Sequence, residues 1–249
     1  MSKPIHILIP AAGIGKRFNA DRPKQYMPFF DTSVLDHCIA QLRDILDQGQ
    51  FIVGLSKEDT WWPQSEAAKD KKIQSVLGGP SRAESVNNML LALGAVDDQD
   101  WVLVHDVVRP CINRQSLQPL LDALELSSDS SENSKSSASS ESSASGLSLG
   151  KPLYEAMKRV SDDGRVLQSE DRHGLWATQT PQVFRYSALK HALTACIEQG
   201  LSFDDEMMAL HHLGYATSMV EGPAWNIKIT KSQDLSLAET YWQLMQASK

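Results

Sequence analysis

A chain of 249 residues with 41% hydrophobic and 22% charged side chains has the composition of a folded globular protein and the length for one substantial core over 1–249. Its net charge of −7 excludes a dominant nucleic-acid surface, so any anionic ligand must be drawn by a local cluster such as Lys16, Arg17, Arg22 and Lys24. No apolar run approaches the roughly 18 residues that cross a bilayer, and three widely spaced cysteines (Cys38, Cys111, Cys196) suggest neither a disulfide framework nor a zinc site, so a cytoplasmic protein is expected.

In chain order, Ile5–Ile9 reads as a buried first strand, followed at once by Pro10-Ala11-Ala12-Gly13-Ile14-Gly15-Lys16-Arg17. Glycines here let backbone amides approach a phosphate closely, and a following helix start adds partial positive charge. A third glycine for the dinucleotide fingerprint is missing, which disfavours an NAD-dependent oxidoreductase, and no Gly-Lys-Ser/Thr stands at P-loop spacing. Arg17 and Lys24 beside such a turn suit a triphosphate, whose charge must be neutralised before an anionic nucleophile approaches. A solvated basic face is the plainer alternative.

Leu35, Cys38, Ile39, Leu42 and Ile45 form a helical stripe, and strands are expected at Phe51–Leu55 and Ile73–Leu77. Gly78-Gly79-Pro80-Ser81-Arg82-Ala83-Glu84-Ser85 then joins strand to helix, with a capping box from Ser81 to Glu84. Two readings stay open: a tight, well-capped turn, or an exposed backbone that together with Ser85 reads a base edge. Trp101–His105 is a strand that delivers Asp106 to the carboxyl end of the sheet, where ligands bind in open α/β folds and where a carboxylate near phosphates suits Mg2+. His105 reads as a packed or hydrogen-bonded residue. Arg109, which would weaken a metal site by pairing with the same oxygens, is left to hold a second phosphate.

Residues 127–145 are mostly serine with no apolar surface to bury, and are expected to form a flexible insertion. The stretch Asp171–Phe184 mixes aromatics, Arg172 and hydroxyls such as Thr180 with little periodicity. Leu189, Ala192, Leu193, Cys196 and Ile197 make another helix stopped by Gly200. Asp204-Asp205-Glu206 is explained by the dipole of a helix start. A strand at Ala216–Val220, a final short strand Asn226–Thr230 carrying Lys228, and a last helix entered through Thr230–Gln233 complete the chain. Alternating strands and helices favour a mostly parallel sheet covered on both faces, the α/β class.

PAAGIGKR, PKQY, GGPSRAESV, VLVHDVVRP, DRHGLWATQTPQVF, DDE and NIKIT together resemble the 2-C-methyl-D-erythritol 4-phosphate cytidylyltransferase family, in order and approximate spacing, from Ile5 to about Tyr241. The resemblance implies a Rossmann-like nucleotidyltransferase domain acting as a homodimer, with a dimerisation arm at about 146–170 reaching the partner's site. It implies that Pro10, Ala11, Ala12, Gly13 and Gly15 wrap CTP and that Arg17 and Lys24 stabilise charge at the α-phosphate. Gly79, Arg82 and Ser85 would bind the nucleotide, Asp106 Mg2+, and Arg109, Arg172, Thr180 and Lys228 the methylerythritol phosphate. Two departures stand out: Glu155-Ala156-Met157-Lys158 replaces the family's usual Asp-Thr-x-Lys, and Pro80 stands where an aspartate is common. Ribitol 5-phosphate cytidylyltransferases share the loop, the lysine, HD-x-x-RP and NIK; Ala11-Ala12 and Leu175-Trp176 favour the methylerythritol family. Retention of Arg17, Lys24, Asp106 and Lys228 disfavours a non-catalytic nucleotide sensor.

Overall fold

The structure, a computed structural model, describes residues 4–13, 18, 21–129 and 144–247. Strand β1 (Ile5–Pro10) leads through a single 3-10 turn, Lys24–Tyr26, and the hairpin of β2 (Pro28–Phe29) and β3 (Thr32–Ser33) into α1 (Val34–Ile45). There follow β4 (Phe51–Leu55), β5 (Ile73–Leu77), α2 (Arg82–Ala92), β6 (Trp101–Val104) and α3 (Arg114–Asp129). The second half contributes β7 (Gly146–Pro152), β8 (Met157–Val160), β9 (Val166–Glu170), β10 (Trp176–Arg185), α4 (Tyr186–Glu198), α5 (Glu206–His212), β11 (Thr217–Glu221) and α6 (Ser232–Ala247).

A seven-stranded sheet runs in the order β11-β7-β10-β6-β1-β4-β5, with β10 antiparallel to β6 and β7 and the other pairings parallel. Both faces are covered. Ile7, Ile9, Val53 and Leu103 pack toward α1, α3 and α6, whereas Leu8, Ile52, Val102 and Val104 pack toward α2, α4 and α5. Burial on both faces is why β4 and β6, and β1 apart from His6, read as apolar runs with no alternation. The chain leaves β1 toward β4 on one side and returns through α2 to β6 on the other. That reversal opens a crevice at the carboxyl ends of the strands.

The helical stripes are as read. Leu35, Cys38, Ile39 and Leu42 of α1 are buried, and the Ser33 side chain caps that helix by accepting from the Asp36 amide. The expected capping box opens α2, and Gly200 follows α4 at a φ of +65°, where a side chain would be strained.

Elsewhere the fold corrects the sequence reading. The poorly periodic stretch contains β10, a strand of 10 residues whose run from Gln179 to Arg185 is wholly buried, so no alternation marks it. Asn226–Thr230 is not a strand but irregular coil, tied to the loop after β6 by the Ile229 amide donating to the Val108 carbonyl at 2.9 Å. The serine-rich span 127–145 begins inside α3, which runs to Asp129, and its residues 130–143 lie outside the described residues. The first part of the expected arm, 146–152, is β7 of the central sheet. Only the segment between β7 and β10 projects, as a hairpin in which β8 and β9 pair with each other alone.

Candidate active site

A cleft of about 270 Å³ opens where the strand order reverses, lined by Pro10–Gly13 after β1, Lys24, Gln25, Gly79–Arg82, Ser85, Asp106–Val108 and Lys228. The loop after β1 starts by continuing the ladder, the Ala11 amide donating to the Gly54 carbonyl at 2.8 Å. Gln25, which sequence reasoning missed, then donates from Nε2 to the Ala11 carbonyl at 2.9 Å and seats the 3-10 turn against that loop. Lys24 Nζ donates to the Ile229 carbonyl at 3.0 Å, so the turn also touches the coil that carries Lys228.

Between β5 and α2 the glycines answer to close packing. A Cβ on Gly79 would come within 2.3 Å of the Glu84 Cβ and 3.1 Å of its backbone. Ser85 Oγ accepts from the Gly79 amide at 3.0 Å and donates to the Ser81 carbonyl at 2.8 Å. The capped tight turn is present, with the Ser85 hydroxyl bonded within it, and the same turn lines the cleft.

Asp106 is the centre of charge. It is buried, and its Oδ1 accepts from Arg82 Nη1 at 2.7 Å while Oδ2 lies 2.8 Å from Lys228 Nζ and 3.6 Å from Arg109 Nε. Burial alone would raise its pKa, but Arg82, Lys228 and Arg109 outweigh that and hold the carboxyl well below the usual range. Arg82 is fixed from behind by Glu206, whose two oxygens accept from Nε and Nη2 at 3.0 Å each in a two-pronged pair. Glu206 is 2% exposed, so it is more than an acid at a helix start; Asp205 is the residue that caps α5, accepting from the Met208 amide. Burial pushes the Glu206 carboxyl up and the Arg82 charge opposes that.

A neutral relay supports Asp106 from beneath. The carbonyl of Arg109 can only accept, so His105 Nε2, 3.1 Å away, carries the proton. His105 Nδ1 then accepts from Thr180 Oγ1 at 3.2 Å, and that hydroxyl accepts from the Asp106 amide at 2.9 Å. Burial lowers the His105 pKa to about 4, keeping the ring neutral. His105 is thus the hydrogen-bonded residue expected.

The expected site residues separate into groups. Pro10, Ala11, Ala12, Gly13, Lys24, Gly79, Arg82, Ser85, Asp106 and Lys228 converge on the cleft. Arg109 and Thr180 are buried beside and beneath Asp106. Arg109 was expected to avoid the Asp106 oxygens; instead it pairs with one of them and donates from Nη1 to the Asn226 carbonyl at 2.7 Å. Arg172 is elsewhere, between β9 and β10, where it donates to the Tyr154 carbonyl and lines a separate cleft with Pro152, Leu153, Asp171 and His173–Trp176. Gly15 and Arg17 lie outside the described residues.

Residues 5–244 match the sequence profile of the 2-C-methyl-D-erythritol 4-phosphate cytidylyltransferases. The enzyme of that name from Ectopseudomonas mendocina (strain ymp) is 38% identical over 244 residues, 97% of either chain. That of Pseudomonas entomophila (strain L48) is 38% identical over 237 residues, 94% of either chain. The crystal structure of the Francisella tularensis enzyme of that name superposes with a TM-score of 0.78 at 30% identity, covering 96% of this chain and 99% of that one. With a profile matched along nearly its whole length and that same α/β fold, the chain belongs to the 2-C-methyl-D-erythritol 4-phosphate cytidylyltransferase family.

Proposed function

We propose that this chain transfers the cytidylyl group of CTP to 2-C-methyl-D-erythritol 4-phosphate, giving 4-diphosphocytidyl-2-C-methyl-D-erythritol and pyrophosphate in isoprenoid-precursor synthesis. It is a nucleotidyltransferase enzyme by family. The observation that carries the site assignment is one cleft at the reversal of strand order that brings Lys24 and a glycine-bearing turn together with Asp106 and its partners Arg82 and Lys228.

The substrate phosphate attacks the α-phosphorus in line and pyrophosphate departs. Both reactants are anions, so catalysis is chiefly positioning plus charge neutralisation. The loop 10–13 holds the triphosphate, Gly79, Arg82 and Ser85 shape the nucleoside end, and Lys24 together with Arg17 meets the charge that grows at the α-phosphate. Lys228, 2.8 Å from Asp106, swings between that carboxylate and the incoming phosphate, with Arg109 and Thr180 holding Asp106 in place.

Asp106 is the single carboxylate among the described residues that line the cleft. Its Oδ1 is held by Arg82 and its Oδ2 by Lys228, so it fits a magnesium ion held mainly by substrate phosphates only when Lys228 turns to the incoming phosphate and frees Oδ2; Mg2+ commonly takes only one or two carboxylates. When bound, such an ion would spread the charge of the triphosphate and ease departure of pyrophosphate.

A homodimer completes this reading. The β8–β9 hairpin leaves Val160, Val166 and Leu167 more than half exposed, and an isolated two-stranded hairpin is marginal in water. A second copy would cover it and would bring Arg172, which stands outside the cleft of its own chain, to the partner's substrate phosphate. No helix among the described residues is long and apolar enough to cross a membrane, and the three buried free thiols agree with a cytoplasmic setting.

Incubation of the purified chain with magnesium, CTP and either polyol phosphate tests the assignment. Pyrophosphate should appear with methylerythritol phosphate and stay at background with ribitol 5-phosphate; the reverse pattern, or none with either, overturns it.

A further inference from the structure

The Lys24 turn is a short piece of chain with three residues of 3-10 helix, too small to hold a shape by its own hydrogen bonds. Its cation can serve a transition state only if something else fixes it. One side is pinned by Gln25 on the Ala11 carbonyl. The other side meets a segment that none of the motifs includes, the loop following β4.

That loop is organised around Asp59. Its Oδ1 accepts from the Trp61 and Trp62 amides at 2.9 Å each, and its Oδ2 accepts from the Tyr26 hydroxyl at 2.7 Å. Tyr26 is 5% exposed and its ring stacks on Trp61, centroids 6.3 Å apart and planes 25° from parallel. The opposite end of the same segment is gripped too, since the Arg22 guanidinium lies 4.7 Å from the centroid of the Trp61 ring. Trp61 therefore holds the chain two residues before Lys24 and, through Tyr26, two residues after it. One carboxylate orders the tryptophan backbone and receives the tyrosine, so the clamp is a single unit.

We infer that Tyr26, Asp59 and Trp61 are positioning residues for the Lys24 ammonium, a brace between the loop after β4 and the turn that carries the cation. None of them lines the cleft. Their effect reaches the reaction through the placement of Lys24, so this rests on the role assigned to Lys24 above. A rigid cation placed before the reaction needs no reorganisation as charge develops, and a displacement of about 1 Å can cost about 100-fold.

Tyr26→Phe removes one hydroxyl and keeps the ring, so it is the first variant; Trp61→Leu removes the stacking and the Arg22 platform. Each is assayed for cytidylyl transfer alone and in a Lys24→Ala background, with thermal melting as a control for folding. The expected result is a kcat lower by about fivefold for Tyr26→Phe and by about 50-fold for Trp61→Leu, with the KM for CTP within about twofold. In the Lys24→Ala background either change should cost less than about twofold more, because variants that act through one group are not additive. An independent readout is tryptic cleavage after Lys24 in the native protein, which should quicken in both brace variants. Equal losses with and without Lys24, or an unchanged rate of cleavage, would overturn the brace. Full turnover by Lys24→Ala alone would overturn the role given to that lysine, while faster cleavage in Tyr26→Phe would still uphold the clamp.

Discussion

The cleft and the hairpin are built in opposite ways. The cleft draws its groups from the segments after β1, β5, β6 and β11, and its charges are tied across elements, as Arg82 is to both Asp106 and Glu206 and Lys228 to Asp106. The β8–β9 hairpin has ion pairs too, such as Arg159 with Glu170 at 2.6 Å, but they stand in solvent and contribute little. A preorganised electrostatic site must be rigid before its ligand arrives, whereas a hairpin that serves as a dimerisation arm, as proposed, can leave its ordering to the encounter. If the proposed dimer holds, sequence changes in the two regions should therefore fail differently: in the cleft through turnover and folding, on the hairpin through association and substrate affinity.

The largest effect is expected at Lys24. Lys24→Ala should lower kcat by about 100- to 1000-fold while moving the KM for CTP only a few-fold, because the ammonium meets charge that grows in the transition state. Steady-state kinetics at saturating magnesium will show it. A parallel loss of binding and turnover would place the lysine in ground-state recognition instead.

Glu206 comes next. Glu206→Gln leaves Arg82 buried with one carboxylate in place of two, and breaking a buried pair costs about 3 kcal/mol or more. A loss of that size in denaturant unfolding is expected, with turnover falling as Arg82 loses its orientation; an unchanged midpoint would mean that the pair is no better than its solvated alternative. The floor also carries an acid-sensitive group. His105 is held neutral with a pKa lowered from 6.5 to about 4, so between those values the unfolded chain binds more protons than the folded one. Stability from this source is whole above pH 6.5 and is lost as pH falls through 4. His105→Gln, which keeps a donor and an acceptor, should flatten the dependence of the unfolding midpoint over that window.

Much of the cleft was legible in the sequence because it is assembled from short contiguous pieces. Buried parallel strands announce themselves as apolar runs, and each of β1, β5 and β6 is followed by its functional loop. Glu206 was not legible, since its partner Arg82 lies 124 residues away and an acid at a helix start has a sufficient local explanation. Strand β10 was hidden because Gln179, Thr180 and Gln182 are buried polar residues, giving neither an apolar run nor an alternation. Helix α3 was unmarked: Leu117, Leu120 and Leu124 form its buried stripe, yet Pro119 stands within it. The arm was overextended at its start because Gly146, Ser148 and Gly150 obscure the apolar face of β7.

On the arm, charging the exposed face should act on assembly alone. Val166→Asp together with Leu167→Asp adds two charges at side chains that are each 62% exposed in the single chain, so the fold loses no buried contact. Light scattering should report a shift from dimer to monomer with the melting of the monomer core intact, and activity should fall with dilution; a mass that does not change would detach the hairpin from dimerisation.

The smallest effect, and the sharpest for the comparison, is at Ala156. Family members commonly carry threonine here, and in this chain the residue is an exposed alanine at the entry to β8. If the arm reaches a partner's substrate phosphate, a hydroxyl at this position adds one neutral hydrogen bond, about 1 kcal/mol, and Ala156→Thr should lower the KM for methylerythritol phosphate by about fivefold. The KM for CTP and the folding midpoint should not move, since nothing in the chain's own cleft touches the site. A KM for the polyol phosphate that stays put would mean that the arm of this protein holds the substrate through Arg172 and its neighbours without position 156, and that the alanine is a tolerated change.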